Sequence, residues 1–148
     1  ELHRAINLLP SDAMFNLVFY STDVKIFVPA SLQANDTNKT KARKYVDSLE
    51  PDGGTNIHDA LEKAFHLLKK PEDNYDKGAD TIFFLTDGQP TVGKLLKAEQ
   101  ILEAVRAWNK DRRIRIHAIG VGDHDKELMK DLAGQNGGTY VARCTART

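Results

Sequence analysis

Residues 81–90 have the sequence TIFFLTDGQP. Its first five residues form a continuous β-favouring and mostly apolar run, and a polar turn containing Asp87 and Gly88 follows at once. A run of this kind is typical of a strand that is buried on both faces in a parallel sheet. The stretch therefore predicts a central strand with a polar loop at its carboxyl end.

The segments on either side of this strand favour helix and strand in turn. Apolar spacing predicts helices that begin at residue 57 and that cover 95–108 and 123–135, with further strands at 114–122 and 139–143. Upstream, the pattern predicts the end of a helix at 1–9, a hairpin of strands 15–20 and 24–28, a loop at 31–36 and a weak helix at 38–49. This alternation predicts an α/β fold with a mainly parallel sheet and helices on both faces.

Composition narrows the class of protein. The chain has 148 residues, with 21 Lys+Arg balanced by 21 Asp+Glu. A net charge of zero excludes a whole-chain attraction to nucleic acid, so we expect no nucleic-acid partner. No run approaches the ~20 apolar residues that a membrane-spanning helix needs. We predict a single domain over 1–148, and the sequence does not assign it a compartment, extracellular, cell-surface or intracellular.

Two basic clusters break the even charge distribution. One covers residues 39–44 at the start of the weak helix, and the other contains Lys110, Arg112, Arg113 and Arg115. We interpret both as solvated surface, because most charge runs are solvated. The alternatives are a phosphate-binding patch for the first cluster and an anionic partner for the second.

A candidate site follows from the predicted topology. In open α/β sheets ligands bind outside the carboxyl ends of the strands, where residues 52–56 and 86–90 should meet. Asp87 and the Thr55 hydroxyl supply oxygen atoms of the kind that a hard cation such as Mg²⁺ prefers. The residues alone leave a second interpretation open, in which Asp87 is a turn residue and Thr55 or Asn56 caps a helix.

Three motifs resemble the von Willebrand factor type A domain family, in the same order along the chain. They are FFLTDG at 83–88, GGTNIHDAL at 53–61 and HAIGVG at 117–122, and FNLVFYS at 15–21 is similar to the family's second strand. The resemblance covers essentially the whole chain. It implies a Rossmann-like, doubly wound sheet with an antiparallel hairpin strand at one edge.

The resemblance also implies a metal-ion-dependent adhesion site. In the family this site combines an Asp-x-Ser-x-Ser motif with a Thr and an Asp from two other loops, and an acidic side chain of a partner protein completes the coordination. Thr55 and Asp87 would be the ligands here, for Mg²⁺ or else Mn²⁺ or Ca²⁺, with Asp87 often acting through water. Around them, Gly53, Gly54 and Gly88 would shape the loops, and Asn56 and Gln89 would lie at the ligand rim.

One family feature has no counterpart in this sequence. No stretch matches Asp-x-Ser-x-Ser, which in the family ends the first, central strand. Residues 1–9 resemble the end of the helix that follows it, so we expect an N-terminally incomplete domain. Three arrangements are open: the strand belongs to a longer chain, it is donated by a peptide or a swapped copy, or strands 15–20 and 81–85 pair directly.

These inferences predict a non-catalytic protein-binding module that recognises an acidic partner residue with the help of a metal ion. One alternative is an assembly or regulatory subunit of an intracellular enzyme complex, and another is a domain with an inactive metal site. An enzyme is disfavoured because the sequence contains no nucleophile–base pair with recognisable spacing.

Overall fold

The computed structural model describes residues 2–50, 52–67, 72–73 and 78–144. Within them the helices are α1 (Leu2–Leu8), α2 (Asp36–Asp47), α3 (Ile57–Phe65), α4 (Ala98–Asn109) and α5 (Lys126–Gln135). The strands are β1 (Met14–Phe15), β2 (Val18–Tyr20), β3 (Val24–Ile26), β4 (Leu32–Gln33), β5 (Thr81–Thr86), β6 (Arg115–Val121) and β7 (Tyr140–Arg143).

A parallel sheet in the order β5–β6–β7 forms the centre of the fold. The register pairs Thr81 with Arg115 and Thr86 with Gly120, and Ala118 of β6 pairs with Tyr140 of β7. Each connection between these strands contains a helix, because parallel neighbours need a crossover. The predicted α/β class and parallel sheet are confirmed.

The main core lies between one face of this sheet and helices α3, α4 and α5. Alternate residues of β5 and β6 point into it, namely Ile82, Phe84, Ile116 and Ala118. Each helix contributes an apolar stripe at helical spacing, as in α5 with Leu128, Met129, Leu132 and Ala133. Removing this apolar surface from water is the main free-energy gain of such a layer structure.

The opposite face of the three-stranded sheet is more open. Phe83 is 69% exposed, and Leu85 and Val141 are also exposed. The Phe83 ring stacks on His117, with ring centroids 5.2 Å apart. The prediction that residues 81–85 are buried on both faces is therefore wrong for the described structure, in which the core helices of this sheet all lie on one side.

The hairpin forms a second, smaller unit. β2 and β3 pair antiparallel as predicted, and the Tyr45 ring of α2 packs on Phe19 and Phe27. The predicted strand at 15–20 is divided, because the Asn16 side chain accepts hydrogen bonds from the N–H groups of Leu17 and Val28. Such local side-chain bonds compete with a ladder. The short β1 on the other side of Asn16 pairs with β4, which lies in the predicted 31–36 loop.

Within the described residues, no strand pairs with the second edge of β5. The Tyr20 hydroxyl instead donates a hydrogen bond to the Leu85 carbonyl at 2.8 Å, and its ring stacks on Phe84 at 5.8 Å. Direct pairing of strands 15–20 and 81–85 is therefore wrong for this part of the chain. A strand from a longer chain, a donated peptide or a swapped copy stay predictions.

The first residues of α2 and α5 are set by capping side chains, and they differ from the starts that apolar spacing predicted. Asn35 caps α2 and accepts a hydrogen bond from the Asn38 N–H, so this helix begins at residue 36 rather than 38. Asp125 caps α5 and accepts a hydrogen bond from the Leu128 N–H, so this helix begins at residue 126 rather than 123. Residues 71–79, whose charged sequence predicts a surface loop, lie mostly outside the described residues. Of the helices in the described ranges, none has the length and hydropathy to cross a bilayer.

We predict that Leu132→Ala lowers the free energy of unfolding by about 2–5 kcal/mol, because it leaves a cavity in the main core. Leu132 is fully buried, whereas Leu8 is 72% exposed. The matched change Leu8→Ala should alter stability by less than about 0.5 kcal/mol. Urea unfolding of both variants checks this, and similar losses in the two would contradict the described core.

Candidate functional site

Two loops meet at the carboxyl end of β5. One is the turn that follows Thr86, and the other leads into α3. A Cβ atom placed on Gly88 would lie 3.2 Å from the Thr55 hydroxyl oxygen. The structure therefore brings Thr55 against the turn that carries Asp87, and Gly88 permits this close approach.

Main-chain bonds fix the position of Thr55. Its N–H donates to the Thr91 hydroxyl at 2.8 Å, and its carbonyl accepts from the N–H groups of Thr91 at 3.0 Å and Val92 at 3.4 Å. These bonds use the backbone of Thr55 and none of them uses its hydroxyl. The hydroxyl therefore lies beside Gly88 on a fixed backbone.

Asp87 is exposed on the turn, which is closed by contacts between the Thr86 hydroxyl and the Gly88 backbone. In the described part of the chain Asp87 forms no ion pair. The Asp87 carboxylate also affects Tyr20. Burial raises the pKa of the Tyr20 phenol above its usual range, and the negative charge of Asp87 raises it further. Asp87 thus contributes an uncompensated negative charge beside Thr55.

The two glycines of the loop play different parts. A Cβ on Gly54 would lie 2.4 Å from the Thr22 hydroxyl and 2.8 Å from the Thr22 Cα, whereas a Cβ on Gly53 would meet nothing within 4 Å. The loop packs against the β2–β3 turn at Gly54 only. Gly53, Gly54 and Gly88 were all predicted to shape the loops. Close contacts that require glycine occur at Gly54 and Gly88 and not at Gly53.

Asn56 does not lie at an exposed rim, contrary to the prediction. It is only 6% exposed. It caps α3, and its side-chain amide donates to the Thr22 carbonyl at 3.2 Å and to Asp59 at 2.9 Å. The alternative reading of Asn56 as a helix cap is therefore confirmed. Gln89 is exposed on the 86–90 loop, and its place at a ligand rim stays a prediction.

Sequence reasoning missed Asp52 as an anchor of the site. Its carboxylate accepts a 2.8 Å hydrogen bond from the Thr22 N–H. Hydrogen bonds from the backbone and hydroxyl of Thr22, and from the Ser21 hydroxyl, lower the pKa of Asp52 to about 2. An Asp directly before two glycines was the available signal, since such side chains often bond to nearby backbone.

A second group of metal-binding side chains lies one turn further along. His58, Asp59 and Glu62 offer ligand atoms within 4.8 Å of one another. The Asp59 carboxylate, however, already accepts hydrogen bonds from His58 at 2.6 Å, from Asn56 and from the Lys94 N–H. Burial of Asp59 opposes its ionisation, but these bonds outweigh it and lower the pKa. These bonds hold the Asp59 side chain in place at the start of α3.

Thr55 and Asp87 are ligands of the type that a hard cation prefers, but they are fewer than it needs. A hydroxyl and a carboxylate oxygen are suitable donors for Mg²⁺, which keeps several waters of its own. Mg²⁺ demands six ligands in octahedral geometry, and Thr55 and Asp87 supply two of them. These two residues would hold the ion, and the remaining positions would be left to water or to other side chains.

An α/β fold with oxygen donors at the carboxyl edge of its sheet defines a class of Rossmann-like domains. Within this class, the family model of the von Willebrand factor type A domain matches residues 2–142. The chain belongs to this family.

Relatives in sequence are inter-alpha-trypsin inhibitor heavy chains. Heavy chain H2 of Mus musculus is 31% identical over 134 residues, which is 88% of this chain and 14% of that protein. Heavy chain H4 of Homo sapiens is 34% identical over 139 residues, which is 89% of this chain and 14% of that protein. The chain therefore spans about a seventh of the length of the curated relatives it matches.

Solved structures share the fold at low sequence identity. The proximal thread matrix protein 1 of the mussel byssus, with a zinc-occupied MIDAS motif, gives a TM-score of 0.70 at 15% identity, over 97% of this chain and 37% of that one. The conserved hypothetical protein BatB of Bacteroides thetaiotaomicron gives 0.66 at 17% identity, over 98% and 77%. At these identities the likeness establishes the fold alone.

We predict that Gly54→Ala lowers the free energy of unfolding by about 1–3 kcal/mol, because the new methyl group overlaps the Thr22 backbone. The neighbouring change Gly53→Ala introduces the same methyl group into open space and should cost less than about 0.5 kcal/mol. Equilibrium unfolding of the pair measures the difference. Equal effects would show that the 52–56 loop does not pack on the β2–β3 turn.

We predict that Asp52 adds an acid-sensitive contribution to stability. Because its folded pKa of about 2 lies below the unfolded value of roughly 3.9, the contribution is present above pH 4 and is lost as pH falls through about 2. Asp52→Asn should lower the melting temperature at pH 6 and should converge with the wild type near pH 2.

The control for this comparison is Asp23→Asn, in the β2–β3 turn that Asp52 contacts, because the Asp23 side chain makes no hydrogen bond in the described ranges. Circular-dichroism melts across this pH range check the result. A gap between wild type and Asp52→Asn that stays constant down to pH 2 would contradict it.

Proposed function

We propose that this domain is a non-catalytic binding module that recognises an acidic residue of a protein partner through a divalent cation. The cation would be held at the carboxyl end of β5 by the Thr55 hydroxyl and the Asp87 carboxylate. The carboxylate of the partner would complete the coordination. Gln89, exposed on the same turn, would contact the partner beside the ion.

The approach of Thr55 to the Asp87 turn carries this proposal. The two side chains come from segments more than 30 residues apart in sequence, and the loops are fixed there by the Thr55–Thr91 bonds and the Gly88 contact. Asp87 is exposed and unpaired within the described residues, so an incoming cation meets a free carboxylate. An ion that retains exchangeable waters leaves a position open for a carboxylate from outside.

The comparisons support the same reading. The mussel byssus protein carries zinc at its MIDAS motif, and it is a matrix protein by name. The relatives in sequence are named as heavy chains of an inhibitor, which suggests that this domain too works within a larger assembly. Neither name points to catalysis by this domain.

A domain with an inactive metal site is the second candidate function. The observation that favours it is that Thr55 and Asp87 supply two of the six ligands that Mg²⁺ takes. With two protein donors the affinity for Mg²⁺ or Mn²⁺ would be weak. In this case the module would bind its partner through side chains alone.

Mn²⁺ can replace Mg²⁺ in this experiment because it is paramagnetic. We predict that it binds this chain with a Kd of about 10⁻⁴–10⁻³ M, the range that weak extracellular modules show for Ca²⁺. Asp87→Asn and Thr55→Val should each weaken binding, because each removes one of the two protein donors. Asp111→Asn, a matched loss of one exposed carboxylate in the α4–β6 turn, should leave it unchanged. Electron paramagnetic resonance of free Mn²⁺ measures the affinities of the wild type and the three variants.

Acetate provides a model of the partner's carboxylate in the same experiment. If a carboxylate completes the coordination, acetate tightens Mn²⁺ binding, and Mn²⁺ tightens acetate binding by the same factor. Equal Mn²⁺ affinity in the wild type and Asp87→Asn would overturn the metal-dependent function. Mn²⁺ binding that acetate does not change would overturn recognition of an acidic residue.

A further inference from the structure

A groove lies at the opposite end of the sheet from the Thr55–Asp87 site. It is formed by the end of α4, the start of β6 and the end of α5, and it has a volume of about 410 Å³. Its described lining includes four cations, Arg106, Lys110, Arg113 and Arg115, and no acidic residue. The sequence suggested a solvated basic surface here, but the structure gathers these charges around one concavity.

None of the four cations is neutralised by the surrounding described structure. No ion pair joins any of them to a described acid. Arg106 donates a hydrogen bond to the neutral Gln135 side chain at 3.1 Å. The described lining of the groove therefore carries four positive charges and no negative one. Their mutual repulsion is relieved by a multiply charged anion.

The floor of the groove is rigidly held. The Asn109 side chain accepts a hydrogen bond from the Ile114 N–H at 2.6 Å and donates to the Ile114 carbonyl at 2.8 Å. It also donates to Asn136, whose own amide donates to the Leu132 carbonyl at 2.7 Å. A ligand therefore meets a preformed surface and has little backbone to order, which favours affinity.

The backbone between α4 and β6 is strained where it enters the groove. Arg113 has φ +53°, and among the described residues it is the one non-glycine residue with a positive φ. Its N–H donates to the Asn109 carbonyl, and glycine is the residue that adopts such a φ most readily. The preceding Arg112 turns inward, where it donates to the Phe65 carbonyl and lies over the Phe65 ring. Such strain concentrates at ligand sites.

We propose that this groove is a binding site for a phosphate or sulfate ester group. Arginine guanidinium groups match the oxygen geometry of such anions with paired hydrogen bonds, and three of the four cations are arginines. None of the described lining residues is aromatic, so this lining offers no surface for base stacking. The anionic group itself is recognised, and Arg113 and Arg115 provide the central contacts.

The test is calorimetric titration of the chain with two probes, pyrophosphate and a sulfated tetrasaccharide. We expect binding of at least one probe with a Kd below about 1 mM, weakening as salt rises because the contacts are ionic. The tighter probe indicates whether the anion comes from a phosphate ester or from a sulfated polysaccharide. Failure of both probes to bind would overturn the proposal.

Charge-matched variants separate this site from general attraction. Arg113→Gln with Arg115→Gln should weaken binding by at least about tenfold, through loss of charge-assisted hydrogen bonds. Lys41→Gln with Lys44→Gln also removes two positive charges, but from the exposed face of α2, and should leave the affinity for the anion nearly unchanged. Equal losses in the two double variants would overturn the proposal.

Arg113→Gly tests the site with a variant in which weaker anion binding cannot be explained by a loss of protein stability. Glycine accepts φ +53° without strain, so this variant should melt at a higher temperature and still bind the anion more weakly. A variant that is more stable and binds equally well would overturn the role of Arg113. Mn²⁺ affinity should be the same in all these variants, so failure here is separable from failure of the proposed metal site.

Discussion

The packing of one face of β5 and β6 against α3, α4 and α5 is the constraint on which the rest of the structure depends. It fixes the parallel register, and therefore the ends at which the connecting loops emerge. The turn after β5 and the loop before α3 have to meet at the carboxyl end, while the α4–β6 connection has to lie at the amino end. Both proposed sites are consequences of this register.

The link between the hairpin and the parallel sheet is of another kind. No described strand joins β2 to β5, and side chains and loop contacts take the place of a ladder. Tyr20 reaches the Leu85 carbonyl, Asp52 and Asn56 bind the β2–β3 turn, and Gly54 lies against Thr22. The same contacts fix the loop that carries Thr55. The stability of the hairpin packing is therefore coupled to the geometry of the Thr55–Asp87 site.

The two ends of the sheet carry opposite electrostatic character. At the carboxyl end the Asp87 carboxylate lies beside a hydroxyl, and at the amino end four cations surround a groove with a fixed amide floor. Among the described residues, none of these five charges has an ion-pair partner. A net charge of zero conceals this separation. Under the two proposals above, the domain would hold a partner through a cation at one end and through an anionic group at the other, without competition between them.

The sequence by itself determined the α/β class, the parallel core strand, the hairpin and the pairing of residue types at Thr55 and Asp87, because apolar periodicity and turn residues act locally. Family resemblance supplied the same two residues. Tertiary structure alone decided that Asn56 is buried rather than at a rim, and that Asp52 anchors the loop. It also decided that basic residues from α4 and β6 surround one groove. These features depend on contacts between segments distant in sequence, which no local pattern records.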